Sequence, residues 1–278
     1  MAGRFDGKVV AISGAAIGQG RNHAIRFAAE GACLVLFDVC SPIPEASHEI
    51  GTEHDLDRTA ESCRVLGANV LTQKVDVRVW EDVRSVFDAA MQQFGRIDTV
   101  VSNAGVTSVG PKVWDIEEDT FRAVVDVNLV GSWHVLKAAA GHMRIGDGAG
   151  SIVLIGSGAS LKGLPNVGAY VAAKHALVGL MRSSARELAS DGIRVNLVAP
   201  GNVKTSMLLN EGMFRVFAPD LDQPNELDFV ERARSVSPMG IPFVDCDDIT
   251  EAVMFLSSDT ARYITGAVLP VDGGSAIP

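Results

Sequence analysis

Basic residues are in short supply: 24 Lys and Arg stand against 34 Asp and Glu, a net charge of −10. Nucleic acid and anionic membranes both need a cationic surface, so neither is expected as a partner. Cysteine is scarce too. The four, at 33, 40, 63 and 246, form no Cys-x-x-Cys pair. They fit a reducing cytosol without a disulfide framework, with Cys33 in an apolar run and expected in the core. No stretch of about 18 apolar residues is present to cross a bilayer. The start, MAGRFDGKVVAISG, lacks the long apolar region and cleavage site of a signal peptide. A cytoplasmic protein is therefore expected. The six histidines (23, 48, 54, 134, 142, 175) have no ligand spacing, and His134 and His142 are eight residues apart, so no metal site is expected. There is no Gly-x-Ser-x-Gly elbow of the hydrolase type.

What is plentiful is apolar sequence. Hydrophobic residues make up 47% and charged ones 21%, enough for a large core and against disorder over most of the length. Apolar runs at Val9–Ser13, Cys33–Phe37, Val70–Val75, Thr99–Ser102, Ile152–Ile155, Arg194–Val198 and Ala267–Pro270 read as strands covered on both faces. Helical stretches alternate with them: Gly20–Glu30, Asp55–Leu66, Trp80–Phe94, Glu118–Met143, Val167–Ser190 and Asp247–Ser257. Repeated βα units imply an α/β fold: a single Rossmann-type, doubly wound parallel sheet in three α/β/α layers, one domain over residues 1–278. Two segments break the rhythm. Val39–His54, with Ser41-Pro42-Ile43-Pro44, is a lengthened loop directly after a strand. Ser206–Pro242 is an irregular insertion, a substrate lid or else a packed surface excursion.

Ser13-Gly14-Ala15-Ala16-Ile17-Gly18-Gln19-Gly20 joins the first strand to the first helix. Glycines there let the backbone approach a pyrophosphate, and the helix N-terminus supplies N–H groups and a positive dipole end. Such a turn is weak evidence alone; its position between strand and helix strengthens it. Asp38 ends the second strand, 18 residues after Gly20. A carboxylate there accepts the adenosine 2′-OH and repels a 2′-phosphate. With no Lys or Arg at Ala15–Ile17, and Val39 and Cys40 following, NAD is expected rather than NADP. An Asp opening a turn would look the same in isolation. Asp76-Val77 ends the third strand and is a candidate for the adenine amino group. Asn103-Ala104-Gly105 ends the fourth, with small residues that permit close approach. Each is hardly better than a turn assignment; together they fall at successive strand ends.

Tyr170-Val171-Ala172-Ala173-Lys174 places a phenol and an ammonium four apart on one helix face. A nearby ammonium is expected to lower the phenol's pKa, making Tyr170 a general base in alcohol oxidation or an acid in ketone reduction. Tyr-x-x-x-Lys usually marks a solvated helix face, but Tyr170 is one of only two tyrosines and follows a strand. Ser157, 13 residues earlier, is placed to hold the substrate oxygen; Ser151 and Ser160 are nearby alternatives. Asn128 lies mid-helix, where Asn is a poor helix former. It opens the helix locally and holds a water near Lys174, or makes an ordinary interhelical hydrogen bond.

Taken together, Gly14-x-x-x-Gly18-x-Gly20, Asp76-Val77, Asn103-Ala104-Gly105, Asn128, Ser157, Tyr170-x-x-x-Lys174, Arg194-Val195-Asn196 and Pro200-Gly201 resemble the short-chain dehydrogenase/reductase family over essentially the whole chain. Gly156 stands where a second Ser is common. The resemblance implies that Lys174 also binds the nicotinamide ribose, and that Pro200, Gly201, Val203 and Thr205 border the nicotinamide. It implies a homotetramer. Gly18-Gln19-Gly20-Arg21-Asn22-His23-Ala24, the loop after Asp38-Val39-Cys40 and Asn128-Leu129-Val130-Gly131-Ser132-Trp133-His134 further resemble the mycofactocin-associated, carveol-dehydrogenase-like subfamily. That implies tightly held NAD, covered by Gln19 and the lengthened loop, with mycofactocin as electron acceptor. It also implies an apolar cyclic, terpenoid-like secondary alcohol as substrate. Met207, Leu208, Met213, Phe214 and Phe217 could line an apolar pocket for it, or else cover the core or a subunit contact. Two other possibilities stand beside it: a 3-oxoacyl-thioester reductase with exchangeable cofactor, and a non-catalytic NAD-binding scaffold.

Overall fold

The computed structural model describes residues 3–145 and 149–277; the outermost residues of the expected 1–278 domain (1, 2 and 278) and residues 146–148 lie outside the described residues. Seven strands form one parallel sheet: β1 (Val9–Ser13), β2 (Cys33–Asp38), β3 (Val70–Lys74), β4 (Thr99–Ser102), β5 (Gly150–Ile155), β6 (Ile193–Pro200) and β7 (Val268–Val271). Their spatial order is β3-β2-β1-β4-β5-β6-β7. The order reverses between β1 and β4, where chain connections leave in opposite directions and open a crevice at the strand carboxyl ends.

The near-continuous apolar runs are explained by alternation into two cores. Val9, Ala11, Val35, Phe37, Val100, Ile152 and Leu154 face one side. They pack against α3 (Trp80–Phe94), α4 and α5 (Glu118–Val125 and Ser132–Met143) and α6 (Gly168–Leu188). Val10, Ile12, Leu34, Leu36, Val101, Val153 and Ile155 face the other, against α1 (Gly18–Ala29), α2 (Glu53–Val65) and α9 (Cys246–Ser257). Every residue of β1 is buried. Period-two side-chain direction therefore supplies a core to each layer.

Local chemistry sets several element boundaries. α2 begins at Glu53, earlier than Asp55, because Thr52 and Asp55 form a reciprocal capping box. Residues 118–143 are helical throughout but open into a π turn at Asp126–Gly131, where Asn128 sits. The 206–242 segment is not irregular. It carries α7 (Glu211–Phe217) and α8 (Glu226–Ser235), whose first turns are capped by the Asn210 and Asn225 side chains. Fully buried Phe229 anchors this segment, with Phe214, Phe217 and Phe243 rings 5.9, 4.4 and 5.6 Å from its own. Within Arg194-Val195-Asn196, the Asn196 amide donates to the Ile264 carbonyl at 2.9 Å and its oxygen accepts from Ala267 N at 3.0 Å. These bonds fix the turn that feeds β7 into the sheet edge.

Candidate active site

The β1–α1 turn needs its glycines for two reasons, a positive φ and close backbone approach. Gly14 has φ +66°, and a Cβ there would meet the Ala104 backbone at 2.8 Å. Gly18 also has positive φ, +57°. Gly20 has no special φ; a Cβ on it would lie 2.0 Å from the Gly14 carbonyl oxygen. Gly20 thus lets the helix pack against the turn, while Gly14, Gly18 and Gln19 line the cleft. Ile17 caps α1 without any side-chain hydrogen bond, which leaves the first N–H groups of that helix facing the crevice.

The Ser13 hydroxyl accepts from Asn103 N and Ala104 N, both at 3.0 Å, while the Asn103 amide donates to the Ser13 and Gly14 carbonyls at 3.0 and 3.1 Å. Asn103 therefore braces the glycine turn against the end of β4. Asp38, buried at the end of β2, accepts from Ala16 N at 3.0 Å. Burial pushes its pKa up, partly offset by hydrogen bonds from the Ala16, Cys40 and Val39 backbone. Asp76 accepts from Arg78 through both carboxylate oxygens, with guanidinium contacts of 2.6–3.0 Å. Burial raises the Asp76 pKa, but the Arg78 bonds outweigh it and leave it below the ordinary value. The Val77 carbonyl is hydrogen-bonded to His134 Nδ1 at 2.8 Å, and Val77 packs where Gly131 lacks a Cβ. Buried His134 thus has a structural partner, and the described residues contain no His/Cys/Asp/Glu cluster fit for a metal.

These groups border a cleft of about 970 Å³, counting its open mouth, lined by Gly14, Gly18, Gln19, Asp38, Val39, Asp76, Val77, Asn103, Ala104, Gly105, Asn128, Tyr170, Lys174 and Thr205. The loop after β2 arches over it and adds Ile43, His48, Glu49, Ile50 and Gly51. It is pinned across the cleft: Ser47 N donates to the Thr107 carbonyl at 2.9 Å, and Val109 N donates to Ser47 Oγ at 2.8 Å. A second cavity of about 690 Å³ adjoins the cleft, with Ser157, Tyr170, Pro200, Gly201, Val203 and Thr205 on its wall. Met207, Leu208, Met213 and Phe217 line it as the sequence suggests; Phe214 does not and packs on Phe229 instead. Thr107, Leu164 and Val167 also line it. The sequence did not single these three out, although they lie just after Asn103-Ala104-Gly105 or between Ser157 and Tyr170.

Tyr170 lies at the junction of the two spaces. One expectation is reversed here. Burial holds the Tyr170 phenol above its ordinary pKa, and the nearby Ser157 hydroxyl only partly counters this. Lys174 Nζ is 5.5 Å from the Tyr170 ring centre and donates to the Ile155 carbonyl at 2.8 Å. Burial brings the lysine pKa down to about 8. Desolvation, not the ammonium's attraction for a phenolate, dominates both groups in this state. Ser157 Oγ accepts from Ala159 N at 3.1 Å, and Ser160 Oγ accepts from Ser157 N at 3.2 Å. Gly156 gives Ser160 room, since a Cβ on it would lie 2.8 Å from Ser160 Oγ. The Asn128 amide donates to the Val106 and Val124 carbonyls at 2.7 and 2.8 Å. Its buried Oδ1 has no partner among the described residues, and Gly105 leaves a gap facing both this oxygen and Lys174 Nζ.

A glycine turn, an uncapped helix end and a strand-end carboxylate around one crevice define a dinucleotide-binding α/β protein. A family model described as enoyl-(acyl carrier protein) reductase matches residues 14–276. The (−)-trans-carveol dehydrogenase of Rhodococcus erythropolis is 44% identical over 274 residues, 99% of each chain. The crystal structure of carveol dehydrogenase from Mycobacterium avium in complex with NAD superposes with a TM-score of 0.97 at 44% identity, covering 99% of this chain and 100% of that one. That of a short-chain dehydrogenase from Mycobacterium paratuberculosis bound to NAD gives 0.89 at 35% identity, covering 99% of each. The chain belongs to the short-chain dehydrogenase/reductase family.

Proposed function

We propose that this protein interconverts an apolar cyclic secondary alcohol and its ketone, using NAD held in the crevice. It is an NAD-dependent alcohol dehydrogenase/reductase. The observation that carries the substrate class is the second cavity. It meets the cofactor cleft at Tyr170, Leu164, Val167, Val203, Met207, Leu208, Met213 and Phe217 line its wall, and no charged side chain does so among the described residues. An acyl-thioester carrier would favour a basic approach that this wall lacks. The residues fit the cofactor: the first N–H groups of α1 would receive the pyrophosphate, Asp38 the adenosine ribose, and Lys174 the nicotinamide ribose. When bound, NAD supplies the hydride acceptor. Ser157 and Tyr170 hold the alcohol oxygen, Tyr170 takes its proton, and Lys174 with Asn128 passes the proton on from the phenol.

The loop pinned over the cleft by Ser47 and Thr107 supports slow cofactor exchange, with mycofactocin as the acceptor that reoxidises the bound cofactor. The same reading makes 206–242 the lid over the substrate, and the enzyme a cytoplasmic homotetramer. The test is to add NAD and a panel of terpenoid alcohols and follow absorbance at about 340 nm. Cyclic alcohols should reduce the cofactor, in one turnover unless an artificial acceptor is supplied. Preference for 3-oxoacyl thioesters, or free steady-state turnover with added NAD, would overturn the substrate or the tight-cofactor reading respectively.

Asp38 gives a separate check on the cofactor. Asp38→Asn should weaken NAD binding by roughly tenfold or more, the scale of one hydrogen bond to a charged group. It should also narrow the preference for NAD over NADP, because the charge opposing a 2′-phosphate is gone. Titrations of both dinucleotides measure this; an unchanged preference argues that Asp38 does not meet the ribose.

A further inference from the structure

Five residues border both the cofactor cleft and the apolar cavity: Gln19, Gly156, Tyr170, Thr205 and Met207. If Tyr170 acts where the two spaces meet, the nicotinamide ring lies among them. A nicotinamide carries a carboxamide with two N–H donors, which need acceptors once water is excluded. Tyr170 is assigned to the substrate oxygen. The Thr205 hydroxyl, which donates to the Val203 carbonyl at 3.4 Å, keeps lone pairs that could accept one of the two N–H groups, which leaves the other to be met. Gly156 and Met207 offer no good side-chain acceptor. Gln19 does: its Oε1 is closed off from solvent and has no hydrogen-bond partner among the described residues. A stranded buried amide oxygen is costly unless a ligand satisfies it. The other stranded amide oxygen in the cleft, Asn128 Oδ1, faces Gly105 and Lys174 and does not border the apolar cavity.

We infer that Gln19 Oε1 accepts a hydrogen bond from the carboxamide N–H of the bound nicotinamide and thereby fixes that group's orientation at the junction. The inference rests on the proposed placement of NAD and deepens it. Gln19 stands in the first turn of α1, so its backbone is already set by the glycine turn and its side chain projects from a fixed base. Holding the carboxamide restricts rotation of the ring and so selects the face presented to the alcohol.

The test separates this bond from a merely structural role by changing the ligand as well as the residue. NAD, its thionicotinamide analogue and its 3-acetylpyridine analogue are competed against bound NADH, read by NADH fluorescence. The thioamide keeps the N–H donors and the acetyl group has none. For the native chain, the ratio of acetylpyridine to NAD dissociation constants should exceed the same ratio in Gln19→Met by about tenfold, the scale of one buried hydrogen bond. Thionicotinamide should follow NAD in both proteins. Gln19→Leu provides the same comparison if Gln19→Met does not fold. An equal ratio in native and variant proteins would overturn the Gln19 assignment while leaving the cofactor site intact. Failure of the native chain to bind NADH at all would instead overturn the placement of NAD, and this inference with it.

Discussion

Tyr170→Phe should lower turnover of the preferred alcohol by about 10²–10⁴-fold while NAD binding stays close to native. The ring is retained, so the wall shared by the two cavities keeps its shape; what is lost is the hydroxyl at their junction. The effect should fall on kcat more than on KM, because the proton transfer it removes belongs to the transition state and the apolar wall that binds substrate is unchanged. Burial holds the native phenol above its ordinary pKa, so in the cofactor-free protein it remains a proton donor at neutral pH. Alcohol oxidation needs the opposite form. The native oxidation rate should therefore rise toward alkaline pH, and Tyr170→Phe should lose that limb. Steady-state or single-turnover rates across pH, together with a dinucleotide titration, check both parts. Near-normal turnover in the variant would remove Tyr170 from the chemistry.

The strands were readable because a sheet covered on both sides demands apolar residues at nearly every position, and all seven runs became strands at close to their expected bounds. The π turn at Asn128 was also legible, since a poor helix former in mid-helix needs a local reason. Other features depended on information that spacing does not carry. α7 and α8 were missed although Asn210 and Asn225 mark their starts, because their apolar faces pack on one another around Phe229 and show no long amphipathic period. Gly20 read as a cofactor glycine; the fold adds a packing demand that spacing does not carry, since a Cβ there would lie 2.0 Å from the Gly14 carbonyl oxygen. The loop after β2 could be placed beside the nucleotide site, but its fastening to Thr107 and Val109 joins residues about 60 positions apart.

The reversal at Tyr170 and Lys174 has the same origin. A four-residue spacing puts two side chains on one face but says nothing of how deeply that face is buried. Here α6 lies against the sheet, Lys174 is 3% exposed, and its ammonium donates to the Ile155 carbonyl at 2.8 Å. An ammonium in that position pays for desolvation that one carbonyl does not return, which is why its pKa falls to about 8. The negative charge it is placed to stabilise belongs to the reacting state, so the cost is borne in the resting one.

Lys174→Met should therefore separate stability from function. Activity should fall by about 10²-fold or more, on the scale of a lost proton-transfer partner. The fold should be no weaker at neutral pH, and by up to about 2 kcal/mol stronger in the cofactor-free protein, once the unsatisfied Ile155 carbonyl is set against the removed charge. The sign follows from linkage. The unfolded lysine titrates near 10.5 and the folded one near 8, so between those values the unfolded chain binds more protons and this group's contribution to stability rises with pH. Below about pH 8 the lysine is charged in both states and its penalty is fully present. Denaturant unfolding of native and variant proteins from pH 7 to 10.5 should show the native curve gaining on the variant across that window. Parallel curves would mean that Lys174 is not desolvated as its surroundings indicate. A variant that loses stability at pH 7 would mean that its bond to Ile155 outweighs the buried charge.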